Sequence, residues 1–407
     1  MQAGVGERVV TARQNVIIAG AGPVGLTAAL LLLRRGIPFT LLEAETELAD
    51  DLRASTFHPP TLDMLAELEV ADALIAQGLV SPTWQIRMHP SGERAVFDLA
   101  VIADATAHPY RLQCKQSNLC RLLLDRVRAE GGDVRMGLRV EGVTQDDDGV
   151  AVTARDAVGE LHDFAGSWLI AADGARSAIR GLLDLPFEGK TYPETTILAT
   201  TRFPFDRHLE GLSNVNYVWK EQGTFSLLHL PDLWRCSLYP DGDETIEDAL
   251  QPESIARKLQ EIAPNPGGHV VEEIRPYRIH MRIVDQYRHG RVLLAGDAAH
   301  VNSPSGGMGM NGGIHDAVEL VATLGEVFDG APVEHLDRYT RRRRPIAEQE
   351  ILTQADRNRA RMQERDPAKR RAMLTDLQRI AEDPVASRAH LLRTSMIDGL
   401  GKAAAIQ

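Results

Sequence analysis

The sequence predicts an α/β fold: a doubly wound, Rossmann-type parallel sheet, interrupted by an inserted antiparallel β-sheet domain and followed by a helical C-terminal region. Three observations predict it. The apolar run Asn15–Ala19 ends in a glycine turn that opens a helix, and a second buried-strand run closes the series at Arg291–Ala295. Between them, residues 190–285 carry repeated strand-like segments with few helix signals. From Val333 onward the pattern is helical and strongly charged.

Composition agrees with a globular chain of two to three domains. There are 407 residues, 43% hydrophobic and 25% charged, enough for a core without covalent staples. The balance of 45 Lys+Arg against 57 Asp+Glu gives a net charge of -12, which argues against nucleic acid or an anionic membrane as the main partner. The basic run Arg341–Arg344 reads as a solvated helix face. The 3 cysteines, without CxxC spacing, fit a reducing cytosol and exclude a zinc site or disulfide framework. Val16–Leu33 is apolar enough to raise a membrane span, but Gly20, Gly22, Pro23 and Gly25 break it, and the leader has neither basic n-region nor cleavage site. A soluble, cytoplasmic protein is expected.

In order along the chain, Asn15–Ala19 is a strand, Leu26–Arg35 a helix stopped by Gly36, and Phe39–Glu43 a second strand, together a βαβ unit. A helical pattern covers Ser55–Leu79, weak alternation covers 84–110, and Gln116–Glu130 is an amphipathic helix. Two short β segments follow at 138–144 and 149–155, then the buried strand Trp168–Ala172. Asn214–Lys220, Thr224–Leu230 and Leu233–Tyr239 form a three-stranded meander. The nucleotide-binding domain is therefore discontinuous, over 1–80, 111–189 and 286–332, with 81–110 and 190–285 as the substrate domain and 333–407 as the helical region.

Chemistry concentrates at glycines. Gly20-x-Gly22-x-x-Gly25 follows a strand and opens a helix, so it permits a tight turn, close approach of a pyrophosphate and close helix packing. Glu43 lies 18 residues after Gly25, placed to accept from a ribose hydroxyl and to repel a 2′-phosphate. NAD and FAD both satisfy this motif. A second strand-loop-helix runs Arg291-Val-Leu-Leu-Ala-Gly-Asp297-Ala-Ala-His300, then Ser303-Pro304 and a glycine-rich loop to Gly313.

This second motif resembles the FAD fingerprint of the group A flavoprotein aromatic hydroxylases, the para-hydroxybenzoate hydroxylase superfamily. The resemblance implies that Asp297 binds the ribityl chain and that Gly307, Gly309, Met310 and Asn311 set a helix N-terminus against the flavin, with Pro304 at the reacting edge. An anion such as reduced flavin is stabilised by a helix N-terminus in any case. Ala172-Asp173-Gly174-Ala-Arg176 is similar to the family's DG motif, which assigns Asp173 to FAD. The same resemblance assigns Ala44, Arg53, Gln116 and Val140 to cofactor binding. This chain departs from the family pattern at Ser303, where a proline is usual, and at Met308, where the loop usually has glutamine.

On the substrate side, turns near 222 and 231 would pair Tyr217 with Leu227 and Cys236, and Trp219 with Phe225, with His229 on the same face. Ser226, Leu228, Arg235 and Tyr239 would occupy the other face. Tyr217 sits where the para-hydroxybenzoate enzyme has its substrate-activating tyrosine, while Leu228-His229-Leu230 replaces its Ser-x-Arg carboxylate clamp. Tyr217 and His229 are the candidate bases, each also readable as a packed aromatic. A phenol, a resorcinol-like diol or a hydroxylated N-heteroaromatic is the expected substrate.

The resemblance implies an FAD-dependent monooxygenase that uses NADH or NADPH and O2 through a flavin C4a-hydroperoxide, with a homodimer as a family expectation. The alternatives are an FAD-dependent reductase of a prenyl-type or other hydrophobic substrate, a flavin-dependent halogenase, whose Trp-x-Trp-x-Ile-Pro segment is missing here, and a nucleotide-sensing binding protein.

Overall fold

The structure is a computed structural model that describes residues 15–50, 54–221 and 223–407. β1 (Val16–Ala19), α1 (Pro23–Arg34) and β2 (Phe39–Glu43) form the expected βαβ unit. β1 is wholly buried and pairs in parallel with β2 on one side and with Trp168–Ala171 on the other. The full sheet has the order Arg288–His289, Val292–Leu294, Trp168–Ala171, β1, β2, Asp133–Met136, with only the first strand antiparallel. Pro23 starts α1 where a missing N–H costs nothing, and Gly36, at φ +67°, ends the turn that follows it. The helix packs against Gln116–Ala129 and Met308–Phe328.

A second, eight-stranded sheet runs from His300–Val301 through Glu273–Ile283, Glu188–Thr201, Trp234–Leu238, Gly223–His229, Val215–Lys220 and Thr83–Met88 to Arg94–Asp98. One face packs on the amphipathic helix Pro252–Ile262 through Ile255, Leu259 and Ile262, burying Val218, Phe225, Leu227 and Cys236. On the other face, Trp84, Phe97 and Trp219 pack with Leu374, Leu377 and Leu391 of the C-terminal helices.

The meander is present, but its first hairpin is one residue out of the expected register. Tyr217 pairs with Ser226 and Trp219 with Thr224, because Lys220 and Gly223 pair directly across the turn. Gly223 takes φ +118°, and the buried Arg370 donates to the carbonyls of Lys220 (2.6 Å) and Gly223 (3.0 Å). A one-residue slip moves a strand's side chains to the opposite face. Tyr217 therefore shares its face with Ser226, Leu228 and Arg235, and His229 lies on the other, stacked on Trp234 at 4.1 Å.

Other departures have local causes. The helical stretch expected over Ser55–Leu79 divides into Pro59–Glu67 and Ala71–Ile75, with Glu69 at φ +57° between them, and short strands flank it at Thr56–Phe57 and Leu79–Ser81. The β segments after 138 gain a third strand, Leu161–Gly166. The arginine run is not a solvated face. Arg343 is 1% exposed and its Nε donates to Asp316 Oδ1 at 2.7 Å. Asp316 Oδ2 accepts from Gly296 N at 3.2 Å and lies 2.8 Å from His300 Nε2. Four consecutive residues span nearly a full helical turn, so in a helix packed against Met308–Phe328 one of them must point inward.

Burial alone would raise the Asp316 carboxyl, but Arg343 and His300 outweigh it and hold it below the usual range. Arg343→Met leaves that buried carboxylate short of its main partner and is expected to cost about 3–5 kcal/mol of stability, read as a lower denaturation midpoint. The gap between wild type and variant should change little from low to high salt, because a buried pair is weakly screened.

His58, His315 and His390 are held neutral. Burial, reinforced by Arg111, Arg343 and Arg361 respectively, pushes each down to about 3. An unfolded histidine titrates near about 6.5. Between those values the unfolded chain binds protons that the native chain does not, so stability is full above the upper value and falls as pH drops. The expected slope is about 1.4 kcal/mol per pH unit per histidine. Urea midpoints measured from pH 7.5 down to 5 that stay flat would contradict it.

Candidate active site

Two cavities meet at the first glycine turn. One, of about 330 Å³, is lined by Gly20, Gly22, Glu43, Ala44, Val140 and Asp173. The other, of about 480 Å³, is lined by Asp297, Pro304, Gly307, Gly309, Met310 and Tyr217. Gly22, Gln116, Ala172 and Gly174 line both, so the two form one elongated site across the N-terminus of α1.

The glycines divide their work. A Cβ at Gly20 would lie 2.4 Å from the Ala172 carbonyl oxygen, and one at Gly25 would lie 1.9 Å from that of Gly20. Those two positions are closed by the protein itself. A Cβ at Gly22 meets nothing within 4 Å and would project into the cavity space. Glu43 closes β2 beneath the turn, its Oε2 accepting from Ala21 N at 2.6 Å and its Oε1 from Glu45 N at 2.9 Å. Asp173 accepts from Ile179 N at 3.1 Å through Oδ2, while its buried Oδ1 has no partner among the described residues. Burial raises the Asp173 carboxyl, against the opposing pull of Ser177 and nearby N–H groups. An open glycine cradle, a carboxylate at the end of β2 and an orphaned acceptor fit the adenosine-pyrophosphate half of FAD.

At the other end, Gly307 caps the helix Met308–Phe328 in the left-handed conformation, at φ +69°, which places the first-turn N–H groups at the larger cavity. Asn311 does not line either cavity. Its Nδ2 donates to the carbonyls of Thr56 (2.8 Å) and Gly307 (2.6 Å), and its Oδ1 accepts from His58 N at 2.9 Å. The side chain thus ties the first turn of this helix to residues 56–58 and to Gly307. Gly25 likewise serves packing and lines no cavity. Arg53 lies outside the described residues.

The substrate wall comes from the eight-stranded sheet: Thr224, Ser226, Leu228, Arg235, Ser237, Tyr239 and Tyr277 join Tyr217 there. His229, on the opposite face, is absent from the lining, so of the two candidate bases only Tyr217 reaches the cavity. Behind it, Arg111 is 3% exposed, lies 4.9 Å over the Trp84 ring and hydrogen-bonds the Tyr217 side chain. Arg235 donates to Ser55 Oγ at 3.2 Å, linking the two sheets' domains. The sequence carried no signal for Arg111, nor for Met362, which closes the cavity from the C-terminal helices. Arg235 was placed on the correct face but opposite Tyr217, a consequence of the register.

Gly22→Ala and Gly25→Ala should separate cofactor binding from folding. Gly22→Ala is expected to keep wild-type thermal stability while losing at least about tenfold in FAD affinity. Gly25→Ala is expected to destabilise the apo-protein itself. Differential scanning fluorimetry with and without FAD reads both.

Comparison with known proteins agrees with this geometry. A family model described as FAD binding domain matches residues 13–354. The chain is 34% identical to para-nitrophenol 4-monooxygenase of Pseudomonas sp. (strain WBC-3), over 88% of this chain and 89% of that protein. It is also 34% identical to 6-hydroxy-3-succinoylpyridine 3-monooxygenase of Pseudomonas putida (strain DSM 28022 / S16), over 82% and 84%. The crystal structure of a p-nitrophenol 4-monooxygenase from Pseudomonas putida DLL-E4 superposes with a TM-score of 0.88 at 30% identity, covering 95% of this chain and 98% of that one. With both glycine motifs, the intervening sheet and most of its length matched, the chain belongs to the group A FAD-dependent aromatic hydroxylases.

Proposed function

We propose that this enzyme hydroxylates a single phenolic or hydroxylated heteroaromatic ring, with NAD(P)H as reductant and O2 as oxygen source. The observation that carries the reading is that Tyr217 lines the same cavity as Asp297, Pro304 and the N-terminus of Met308–Phe328. The substrate-side hydroxyl partner and the flavin-side loop thus face one shared space. Two relatives matched over most of their length are named for single-ring substrates, a nitrophenol and a hydroxypyridine.

Bound FAD would supply the redox and oxygen chemistry. The chain's own residues supply the rest. The first-turn N–H groups at Met308, Gly309 and Met310 offset negative charge beside the larger cavity. Val301, Ile279 and Met362 give the cavity apolar walls that exclude water. Tyr217 Oη is placed to hold or accept the proton of the substrate hydroxyl, which makes the ring a better nucleophile. The reductase alternative loses support because the relatives matched over most of the chain are named monooxygenases.

Purified enzyme should oxidise NAD(P)H faster in the presence of phenols, resorcinols or hydroxypyridines, with a product heavier by one oxygen. Tyr217→Phe is expected to lower kcat by about 10- to 100-fold while FAD binding stays unchanged. Bound FAD with no ring compound either stimulating turnover or gaining oxygen would refute the proposal.

A further inference from the structure

Behind Tyr217 lies a small side pocket of about 30 Å³, lined by Trp84, Arg111, Asn358, Arg361 and Thr394 among others. It shares Tyr217, Ser305 and Met362 with the larger cavity, so it opens from the space where the ring is placed. Its volume is close to the share one water takes in the liquid, about 30 Å³. That is room for a small substituent and not for a ring.

The pocket's chemistry is one-sided. Arg111 is more than nine-tenths buried, and its Nε and Nη1 have no hydrogen-bond partner among the described residues. Burial depresses its guanidinium, Tyr217 is the side chain that offsets this, and no carboxylate contributes. Arg361, on the opposite wall, is likewise depressed by burial and by Arg393, with Tyr217 again the only offset. The nearby His390 is held neutral by burial, so it adds no further positive charge. Two guanidinium groups thus line the void, and of their nitrogens Arg111 Nε and Nη1 are the ones left without an acceptor among the described residues. Leaving such donors buried and unpaired is costly, whereas a substituent that brings acceptor oxygens into the pocket would satisfy them with charge-assisted hydrogen bonds.

We propose that this pocket selects the substrate: it receives a planar two-oxygen substituent, carboxylate or nitro, borne by the ring, with Arg111 as its binding group. The proposal rests on the reading that the larger cavity holds the aromatic ring, and it sharpens the substrate class within that reading. It also places recognition on the strand Arg111–Gln113, away from the meander position Leu228-His229-Leu230, where the family's clamp was sought.

The test is binding to the FAD-loaded enzyme, read by perturbation of the flavin absorbance so that no turnover is needed. The probes are 4-hydroxybenzoate, 4-nitrophenol and 4-methylphenol, which lacks the acceptor oxygens, together with sodium chloride alone. At least one oxygen-bearing probe should bind about tenfold or more tighter than 4-methylphenol, and Arg111→Gln should abolish that preference while 4-methylphenol binding holds. If Arg111→Gln does not load FAD, Arg111→Lys, which keeps charge but loses the fork, should show a reduced preference. Equal affinity for all three phenols overturns the proposal, as does an equal loss of all three in the variant. Chloride alone perturbing wild type but not the variant, without preference among phenols, assigns the pocket to a free anion and overturns it too. Binding with the expected preference but no hydroxylated product overturns the reaction class and leaves the pocket assignment standing.

Discussion

A single buried carboxylate organises the catalytic end of this enzyme. Asp316 is 0% exposed and adds a buried polar tie among the turn at Gly296, His300 just beyond it, and Arg343 of the C-terminal region. It sits on the same helix whose N-terminus lines the larger cavity. The turn it grips carries Asp297. Because the carboxylate is satisfied on both oxygens by groups from different elements, it adds fixed hydrogen-bond lengths to the close packing of Gly296 on Gly313 that spaces Asp297 from the helix N-terminus. Low local dielectric makes this linkage stiff, and removing any one member leaves the others underpaired.

The cofactor half of the site was legible in the sequence because its chemistry is local. Gly20, Gly22, Glu43, Asp173 and Asp297 each sit at a strand end, where backbone geometry and a few consecutive residues decide what the chain can approach. The substrate half was not, because it depends on register and on distant partners. His229 and Tyr217 changed their relation through one residue of hairpin geometry. Arg343 looked like part of a charged surface, since nothing in a run of four arginines marks which one points inward. Arg111 stands in a short strand with no motif around it, and its importance is visible only when Tyr217, Trp84 and Arg361 are brought beside it. Asn311 falls in the first turn of the helix that follows the glycine-rich loop, and its side chain bonds backbone groups of residues 56–58 and Gly307.

The C-terminal helices are therefore more than an appendage to the nucleotide-binding fold. They contribute Met362 to the main cavity and Asn358 and Arg361 to the side pocket, and Asn358 Nδ2 also donates to the Ser305 carbonyl in the flavin-side loop at 3.4 Å. The same helices cover the edge of the eight-stranded sheet through Leu374, Leu377 and Leu391. Variation in this region can thus reshape what the enzyme accepts without touching a residue that holds the cofactor.

The grip of Arg370 on the carbonyls of Lys220 and Gly223 has a consequence for the order in which the molecule can be completed. The arginine lies 150 and 147 positions downstream of its two acceptors, so a ribosome delivers it long after the hairpin has emerged. Until then the alignment that turns Tyr217 toward the cavity is held by the hairpin's turn and its neighbours, among them the Asn216 Nδ2 donation to the Leu227 carbonyl at 3.0 Å and the parallel pairing with Thr83–Met88. The nucleotide-binding turn at Gly20–Gly25 has no such dependence within the hairpin. During synthesis the chain can therefore form the glycine cradle before the last of the groups that hold the hairpin's alignment has been made.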